Sequence, residues 1–271
     1  MRSLTFTLRQ APEQRLDLSP LVPHLLAGKT AAQIERIALQ TTRLRVDVAE
    51  IFRLRMGDAE QIRIEGACGR LDHVGQAMTG GELLVDGDVG VQAGRLMAGG
   101  RLTLRGNVGP WAASGMKGGV IEILGAADER LGGPLAGEMA GMRGGVVVVR
   151  GRAGERAGDR MRRGAIIIEG EAGAYAGSRM IAGTLVVGQK AGPFPGFLMK
   201  RGTIVLGADC SAISPTFVDC GRHDLLGMRL LAGFIEPYSK GAASVLRRPL
   251  QRLAGDMAVL GKGEIFIRNR N

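Results

Sequence analysis

The stretch Met97-Ala98-Gly99-Gly100-Arg101-Leu102-Thr103-Leu104-Arg105-Gly106-Asn107-Val108-Gly109 decides the fold, because its pattern returns along the middle of the chain. Seven methionines keep one spacing of 19 residues, with a single interval of 26: Met78, Met97, Met116, Met142, Met161, Met180 and Met199. Each methionine is followed three residues later by a glycine and then by a short run of Val, Ile and Leu. A fixed period of this length is typical of a repeat protein whose units bury their apolar sides against each other.

The apolar runs indicate strands, because they are only four or five residues long and glycines bound them on both sides. We therefore predict an all-β solenoid, a right-handed parallel β-helix of eight or nine coils with 19 residues per coil. The methionines are expected to stack inside it as adaptable core residues. Segment 62–66 matches the strand and glycine of an earlier coil, and segment 44–47 matches more faintly.

A solenoid exposes a strand edge at each end and needs caps. We predict an N-terminal strand and helix cap over 1–40, the β-helix over 41–209, and a mostly helical cap and docking extension over 210–271. The 26-residue interval predicts a loop within 126–141.

The terminal segments contain helix and strand signals of their own. Ser19 and Pro20 predict the start of a helix that ends near Gly28, and Thr30 with Gln33 predicts a capping box for a second helix. The remaining predicted elements are a strand at 4–8, helices at 224–231 and 243–253, and a strand at 264–268.

No set of residues in the sequence forms a recognisable catalytic or metal-binding motif. The histidines His24, His73 and His223 lie far apart, and the cysteine spacings do not match metal ligands. An enzyme hypothesis needs a site around Asp219, Cys220, His223 and Asp224; a pairing of Asp209 with Asp219 is a weaker alternative. We expect no catalytic, cofactor-binding or metal-binding residue in this chain.

Cysteine usage and hydropathy bear on the compartment. Three cysteines, Cys68, Cys210 and Cys220, are an odd and scattered set, as in a cytoplasmic protein with reduced thiols. The first ten residues lack the apolar region of a signal peptide, and no apolar stretch approaches the roughly 20 residues of a membrane span. We expect a cytoplasmic protein that does not bind membranes, although a basic segment at 246–253 allows a membrane contact as an alternative.

Positive charge is the remaining indication of function, since the chain carries a net charge of +10. Six basic residues follow the methionines by one or two positions: Lys117, Arg143, Arg162, Arg163, Lys200 and Arg201. Stacked a few ångströms apart, such cations face either solvent or an acidic partner. Nucleic acid is disfavoured because exposed aromatic residues interleaved with these basic residues are absent from the pattern.

The repeated pattern M-x-G-G-x-[IVL]-x-[IVL]-x-G-x-[AV]-G resembles the glycine-repeat β-helix domain of glutamate synthase large subunits. It is more similar to the family formed by the C subunit of formylmethanofuran dehydrogenase, over about residues 41–209. The chain departs from the pattern at Arg163, Ala182 and Arg201, where the first glycine of the pair is replaced.

The resemblance implies a non-catalytic scaffolding subunit of a hetero-oligomeric complex in one-carbon metabolism. We favour the formyltransferase/hydrolase complex, whose amidohydrolase-like and formyltransferase subunits are expected partners. Such a complex uses tetrahydromethanopterin and a methanofuran-like carrier, with its metal in another subunit. The alternatives are the C subunit of a molybdenum or tungsten formylmethanofuran dehydrogenase, a glutamate-synthase-like domain, and a carrier-binding module.

Overall fold

The computed structural model describes residues 3–41, 43 and 45–268. In chain order the strands β1 to β17 are Ser3–Leu8, Leu16–Asp17, Ala38–Thr41, Arg45–Asp47, Phe52–Arg55, Asp58–Ala67, Leu71–Asp72, Glu82–Gly87, Arg101–Leu104, Val120–Ile123, Arg143–Val149, Arg163–Ile168, Thr184–Val187, Arg201–Leu206, Val218–His223, Leu250–Gly255 and Lys262–Ile267. The helices α1 to α5 are Pro23–Leu26, Ala31–Glu35, Val48–Ile51, Leu226–Ile235 and Lys240–Leu246.

The repeats pair with each other as neighbouring strands of one large, mostly parallel sheet. Its order is β15-β16-β17-β14-β13-β12-β11-β10-β9-β8-β6-β1-β5. From β8 to β14 the register follows the repeat, so that Leu102 pairs with Leu83 on one side and Ile121 on the other. The prediction of a mostly-β fold is confirmed by this sheet.

A second parallel ladder lies beyond each strand. Single bridges join equivalent residues of successive repeats: Val89, Val108, Ala127, Ala153, Ala172, Ala191 and Cys210. Each repeat therefore contacts the next at two separate places, with a glycine-rich corner between them. These small side chains allow the backbones of neighbouring repeats to approach closely.

All seven repeat methionines are fully buried, as predicted. The glycine that follows each of them by three residues has a positive φ, from 73° at Gly81 to 110° at Gly202. A Cβ atom on six of these glycines would also lie 2.6–2.9 Å from the Cε methyl of the methionine one repeat earlier. Both the backbone conformation and the packing therefore require glycine.

The N-terminal segment adds strands to two sheets. β1 lies between β6 and β5 in the large sheet, pairing parallel with the first and antiparallel with the second. β4, β3, β2 and β7 form a separate four-stranded sheet. The interpretation of 44–47 as a coil of the solenoid is therefore wrong, because Arg45–Asp47 pairs antiparallel with β3; Leu44 lies outside the described residues.

One of the two predicted N-terminal caps is confirmed. Thr30 Oγ1 accepts a hydrogen bond from the Gln33 amide, and Gln33 Oε1 accepts one from the Thr30 amide at 2.9 Å. The other prediction is wrong in its start: α1 begins at Pro23 and not at Pro20. The Ser19 amide instead donates to Asp17 Oδ1 at 2.8 Å, which holds residues 17–21 in turns before the helix.

The C-terminal segment is mixed and not mostly helical. α4 and α5 are present, but the predicted helix at 243–253 ends at Leu246, and β16 follows Pro249. Proline cannot continue a helix, and Leu250–Gly255 pairs antiparallel with β15 and β17. β17 returns to the repeats and pairs parallel with β14, so that Gly263 lies beside Gly202.

The two C-terminal helices cover the outer face of the later repeats. Val148, Ile167, Val186 and Val205 point away from the repeat core, yet they are buried against residues of α4 and α5. In the earlier repeats the equivalent outward positions are the partly exposed Leu84, Thr103 and Glu122. The helices thus shield the sheet only where its outer side chains are apolar.

Candidate functional site

All six predicted basic residues are exposed, and none forms an ion pair within 4.0 Å of a carboxylate in the described part of the chain. They line one border of the large sheet, where the backbone amides of Lys117, Arg143 and Lys200 donate to methionine carbonyls of the preceding repeat. We call these six residues the basic row. Its charge is available to an acidic neighbour.

Sequence reasoning missed a seventh basic residue in this position. Lys262 pairs with Arg201 in the parallel register of β17 and β14 and is also exposed. Its signal is the segment Lys262-Gly263-Glu264-Ile265-Phe266-Ile267, which repeats the pattern of the strand beginning at Arg201. The long intervening chain hid that similarity.

The side chains of the enzyme hypothesis are engaged in local structure. His223 Nε2 lies 2.8 Å from the carbonyl oxygen of Cys220, Asp219 accepts from the Gly221 amide, and Asp224 forms an ion pair with Arg229. Asp209 accepts from the Cys210 amide. Among the residues that the structure describes, no three His, Cys, Asp or Glu side chains lie close enough together to hold a metal ion.

Buried carboxylates elsewhere in the chain are also neutralised by neighbours. Asp159 is fully buried and accepts hydrogen bonds from Ser178 Oγ and from the Arg179 guanidinium. Asp72 accepts hydrogen bonds from Nε and Nη2 of Arg15 and from the Val91 amide. These groups hold the fold together and are not exposed to a substrate.

The junction between the N-terminal segment and the repeats contains a histidine ion pair. His73 Nδ1 lies 3.2 Å from Asp17 Oδ2. The Asp17 carboxylate raises the pKa of His73 above its usual 6.5, although partial burial acts in the opposite direction. Burial opposes ionisation of Asp17, but His73 and the Ser19 amide outweigh it and hold its pKa below its usual 3.8.

Polar contacts fasten the C-terminal helices to the sheet. The Arg150 guanidinium bridges Glu122 and Glu169 and donates to the Tyr238 carbonyl at 2.9 Å. Ser239, the N-cap of α5, accepts from the Ala242 amide and donates to Glu169 Oε1 at 2.6 Å. The helices are therefore oriented by charge as well as by apolar packing.

One face of α4 remains apolar and exposed. Leu226, Leu230 and Phe234 follow each other at four-residue intervals with exposed fractions of 70%, 68% and 50%. Ala232 and Ile235, on the opposite side of the helix, are fully buried. An apolar strip of this length on an ordered helix is typical of a surface that meets a protein partner.

A shallow open groove of about 570 Å³ runs along the ladder of single bridges. Its floor contains Ala127, Ala153 and Ala172, and charged residues such as Arg152 and Glu171 line its sides. The floor residues have small side chains because the backbones of successive repeats pair there. The lining residues include neither histidine nor cysteine. This groove therefore offers no thiol or imidazole, while Cys210 lines an adjoining hollow on the same ladder.

A further row of side chains is defined by its backbone. Seven equivalent residues of successive repeats have φ between 57° and 61°, although none is glycine: His73, Gln92, Trp111, Arg130, Arg156, Tyr175 and Phe194. We call them the left-handed column. Each donates its amide to a carbonyl of the next repeat at 2.7–3.1 Å, which explains the conformation. Such a φ costs a residue with a side chain about 1–2 kcal/mol.

Aromatic and basic side chains alternate along the left-handed column, although the column contains none of the six residues of the basic row. Tyr175 stacks on Phe194 with ring centroids 5.8 Å apart, and the Arg156 guanidinium lies 4.9 Å above the Tyr175 ring. Trp111 and Arg130 precede them, and all are partly exposed. The residues are far apart in sequence, but the 19-residue period places them in one line.

No helix among the described residues is long and apolar enough to cross a membrane. Cys68, Cys210 and Cys220 are free and partly buried.

Comparison with known proteins adds two findings, while no family model matches the chain. The chain is 48% identical over 263 residues to the C subunit of the formyltransferase/hydrolase complex Fhc of Methylorubrum extorquens, covering 97% of this chain and 98% of that protein. Its structure matches a chain in the crystal structure of the formyltransferase/hydrolase complex of Methylorubrum extorquens in complex with methylofuran. The TM-score is 0.93 at 41% identity, covering 98% of this chain and 100% of the other.

Proposed function

Because the chain belongs to the family formed by the C subunit of the formyltransferase/hydrolase complex, we propose that it is a non-catalytic scaffold on which the other subunits assemble. One observation carries this proposal: the candidate catalytic side chains are engaged within the chain, whereas two surfaces are open to partners. The candidate catalytic side chains are held in local contacts, whereas the basic row and the apolar strip of α4 are free for contacts with partners.

We further propose that the repeats coil as a right-handed parallel β-helix between two terminal caps. The support is the pair of parallel ladders, one through the strands and one through the single bridges, which both advance by one repeat. In this organisation the coils extend from β6 to β14, and β17 adds the last rung. The N-terminal cap then comprises the segment before β6, and the C-terminal cap follows β14.

The proposed partners are an amidohydrolase-like subunit, which holds the metal, and a formyltransferase subunit. In this proposal they transfer formyl from formyl-tetrahydromethanopterin to a methanofuran-like carrier and hydrolyse it to formate. The similar complex was solved with methylofuran, which supports the choice of carrier. Both matched proteins belong to a formyltransferase/hydrolase complex, which favours this complex over a molybdenum or tungsten formylmethanofuran dehydrogenase. Three free thiols support a cytoplasmic location.

Two surfaces are proposed for docking. The basic row suits an acidic neighbour, since its residues form no ion pair within 4.0 Å among the described residues, and the α4 strip suits an apolar groove. Each exposed ion pair contributes only about 0–1 kcal/mol, so the apolar strip is the stronger anchor.

Affinity purification of the chain from its own cells tests the proposal. Mass spectrometry is expected to identify an amidohydrolase-like and a formyltransferase subunit, and the isolated chain is expected to release no formate from a formylated carrier. His223→Ala is expected to leave the activity of the complex nearly intact. Turnover by the chain alone, or co-purification with a molybdopterin subunit and iron–sulfur proteins, would overturn the proposal.

A further inference from the structure

The left-handed column is the most unusual set of surface residues outside the two docking surfaces. Its conformation follows from the hydrogen bond that each amide makes to the next repeat, so any residue at this position must accept a positive φ. Glycine accepts that conformation without strain. Two positions later the chain does use glycine, as at Gly94, Gly158 and Gly177. At the column no repeat uses it.

Contacts within the column account for only part of these side chains. Arg156, Tyr175 and Phe194 stack on each other, and Phe197 meets Tyr175 edge to face at 5.8 Å. Trp111 and Arg130 belong to no ring stack among the residues described, and they remain partly exposed. The strain at these two positions is therefore not offset by any stacking that the structure shows.

The composition of the column points to a protein partner. Trp, Tyr and Arg are the residues most enriched where protein interfaces bind most strongly. Between 58 and 207 the aromatic residues are Trp111, Tyr175, Phe194 and Phe197, and three of the four belong to the column. The fourth touches it. The few aromatic residues of the repeats therefore lie along one line of the surface.

Charge indicates the chemistry of that partner. The guanidinium groups of Arg130 and Arg156 have no carboxylate within 4.0 Å in the described ranges. We propose that the left-handed column from Trp111 onward binds another protein subunit of the complex, with Trp111 and Arg130 making the main contacts to an apolar patch flanked by carboxylates on that subunit. This inference rests on the proposed scaffold function and adds to it a third surface.

Single-stranded nucleic acid is the less suitable occupant. Bases bind by stacking on free aromatic faces. The Tyr175 ring already contacts the Arg156 guanidinium and the Phe194 ring. Tyr175 therefore lacks the open face that a base requires.

Substitution by glycine tests the proposal, because glycine adopts a positive φ without strain while removing the side chain. We expect the full-length Trp111→Gly and Arg130→Gly variants to unfold at the same temperature as the wild type or a higher one. In the complex, their dissociation constant for the partner subunits is expected to rise at least tenfold. Gln92→Gly is the matched control at an equivalent position, and assembly is expected to be unchanged.

Three results would overturn the inference. One is wild-type assembly affinity for both variants, and another is a lower unfolding temperature for both, which would assign the side chains a purely structural role. The third is binding of fluorescein-labelled polyuridine by the wild type that both variants lose. Failure of the wild type itself to join any partner subunit would refute the scaffold function as well.

Discussion

The Cε methyl of Met97 lies 2.9 Å from the point that a Cβ atom on Gly119 would occupy. The two residues belong to neighbouring repeats and are well separated in sequence. The same relationship recurs between Met116 and Gly145 at 2.6 Å. Each methionine therefore packs against the glycine of the next repeat, which explains why both residues recur with the same spacing in the sequence.

Gly119→Ala is expected to destabilise the chain by about 2–4 kcal/mol, from left-handed strain plus overpacking against both the Gly100 carbonyl oxygen and the Met97 methyl. Gly137→Ala is the control, because Gly137 has the same φ of 84° with nothing within 4 Å of the added atom. It is expected to cost about 1 kcal/mol. Urea denaturation followed by circular dichroism measures both, and equal losses would refute the methionine contact.

Ser239→Ala is expected to loosen α5 by about 1–2 kcal/mol, because it removes the N-cap and the hydrogen bond to Glu169 together. Hydrogen exchange of the amides of α5 is the measurement. Ser244→Ala is the control in the same helix, since the exposed Ser244 hydroxyl only donates to the Gly241 carbonyl. Faster exchange in both variants alike would contradict the proposed fastening by Glu169.

The ion pair of His73 and Asp17 predicts a pH dependence of stability. The pKa of His73 is raised in the folded chain, so its contribution is fully present below about 6.5 and is lost as pH rises through the raised value. The lowered pKa of Asp17 makes its contribution present above 3.8 and lost as pH falls. The pair therefore stabilises the chain most between these limits, by less than about 1 kcal/mol because both groups are partly exposed.

Thermal unfolding of the wild type and of His73→Gln between about pH 5 and 8, the range in which histidine titrates, tests that dependence. Glutamine occupies the equivalent left-handed position at Gln92, so the substitution is compatible with the backbone. The unfolding temperature of the wild type is expected to exceed that of the variant at low pH, and the difference is expected to shrink as pH rises. An advantage that stays constant across this range would show that His73 does not act through its charge.

Reversing Arg143, Arg162 and Lys200 to Glu is expected to weaken assembly with the partner subunits and to make it fail at lower salt. The reason is that these exposed charges form no ion pair within 4.0 Å among the described residues and act at long range on an acidic surface. Arg53, Arg152 and Lys190 form the control set, since they are exposed and also form no ion pair with a described residue. Gel filtration of the complex is the measurement. An unchanged elution volume with a normal circular dichroism spectrum would show that the row is merely solvated.

Leu226→Ser together with Leu230→Ser is expected to weaken assembly while leaving the isolated chain as stable as the wild type within about 0.5 kcal/mol, because both side chains are exposed. Ile235→Ser is the buried control on the same helix. It is expected to cost about 2–5 kcal/mol, since it empties a packed site and buries a hydroxyl. Titration with partner subunits and thermal unfolding separate the two effects. Full assembly by the double variant would exclude the α4 strip as an anchor.

The sequence predicts the repeated part of the fold well because each position is read seven times. The period alone located the buried methionines, the required glycines and the exposed basic row. Single segments were less predictable. Leu246, Leu250 and Leu253 fit a helical spacing, but Pro249 divides them between α5 and β16.

The shielding of the outer sheet face is visible in the sequence as a change of pattern along the repeats. The run Val146-Val147-Val148-Val149 is apolar on both sides, whereas Leu102-Thr103-Leu104 alternates. A strand buried on both faces reads as a continuous apolar run, and α4 and α5 pack where such runs recur in successive repeats; the isolated earlier run Leu83-Leu84-Val85 leaves Leu84 partly exposed. The left-handed column was harder to foresee, since a φ above zero is not expected for Trp or Tyr.

The position of β17 has a consequence for synthesis of the protein. β17 completes the sheet beside β14, yet 55 residues separate the end of β14 from its start. As the nascent chain leaves the ribosome, the edge of β14 stays open until Ile267 has emerged. During that interval the unpaired edge is a template for other growing chains, so translation stopped shortly before Lys262 should yield aggregates rather than a shortened native protein.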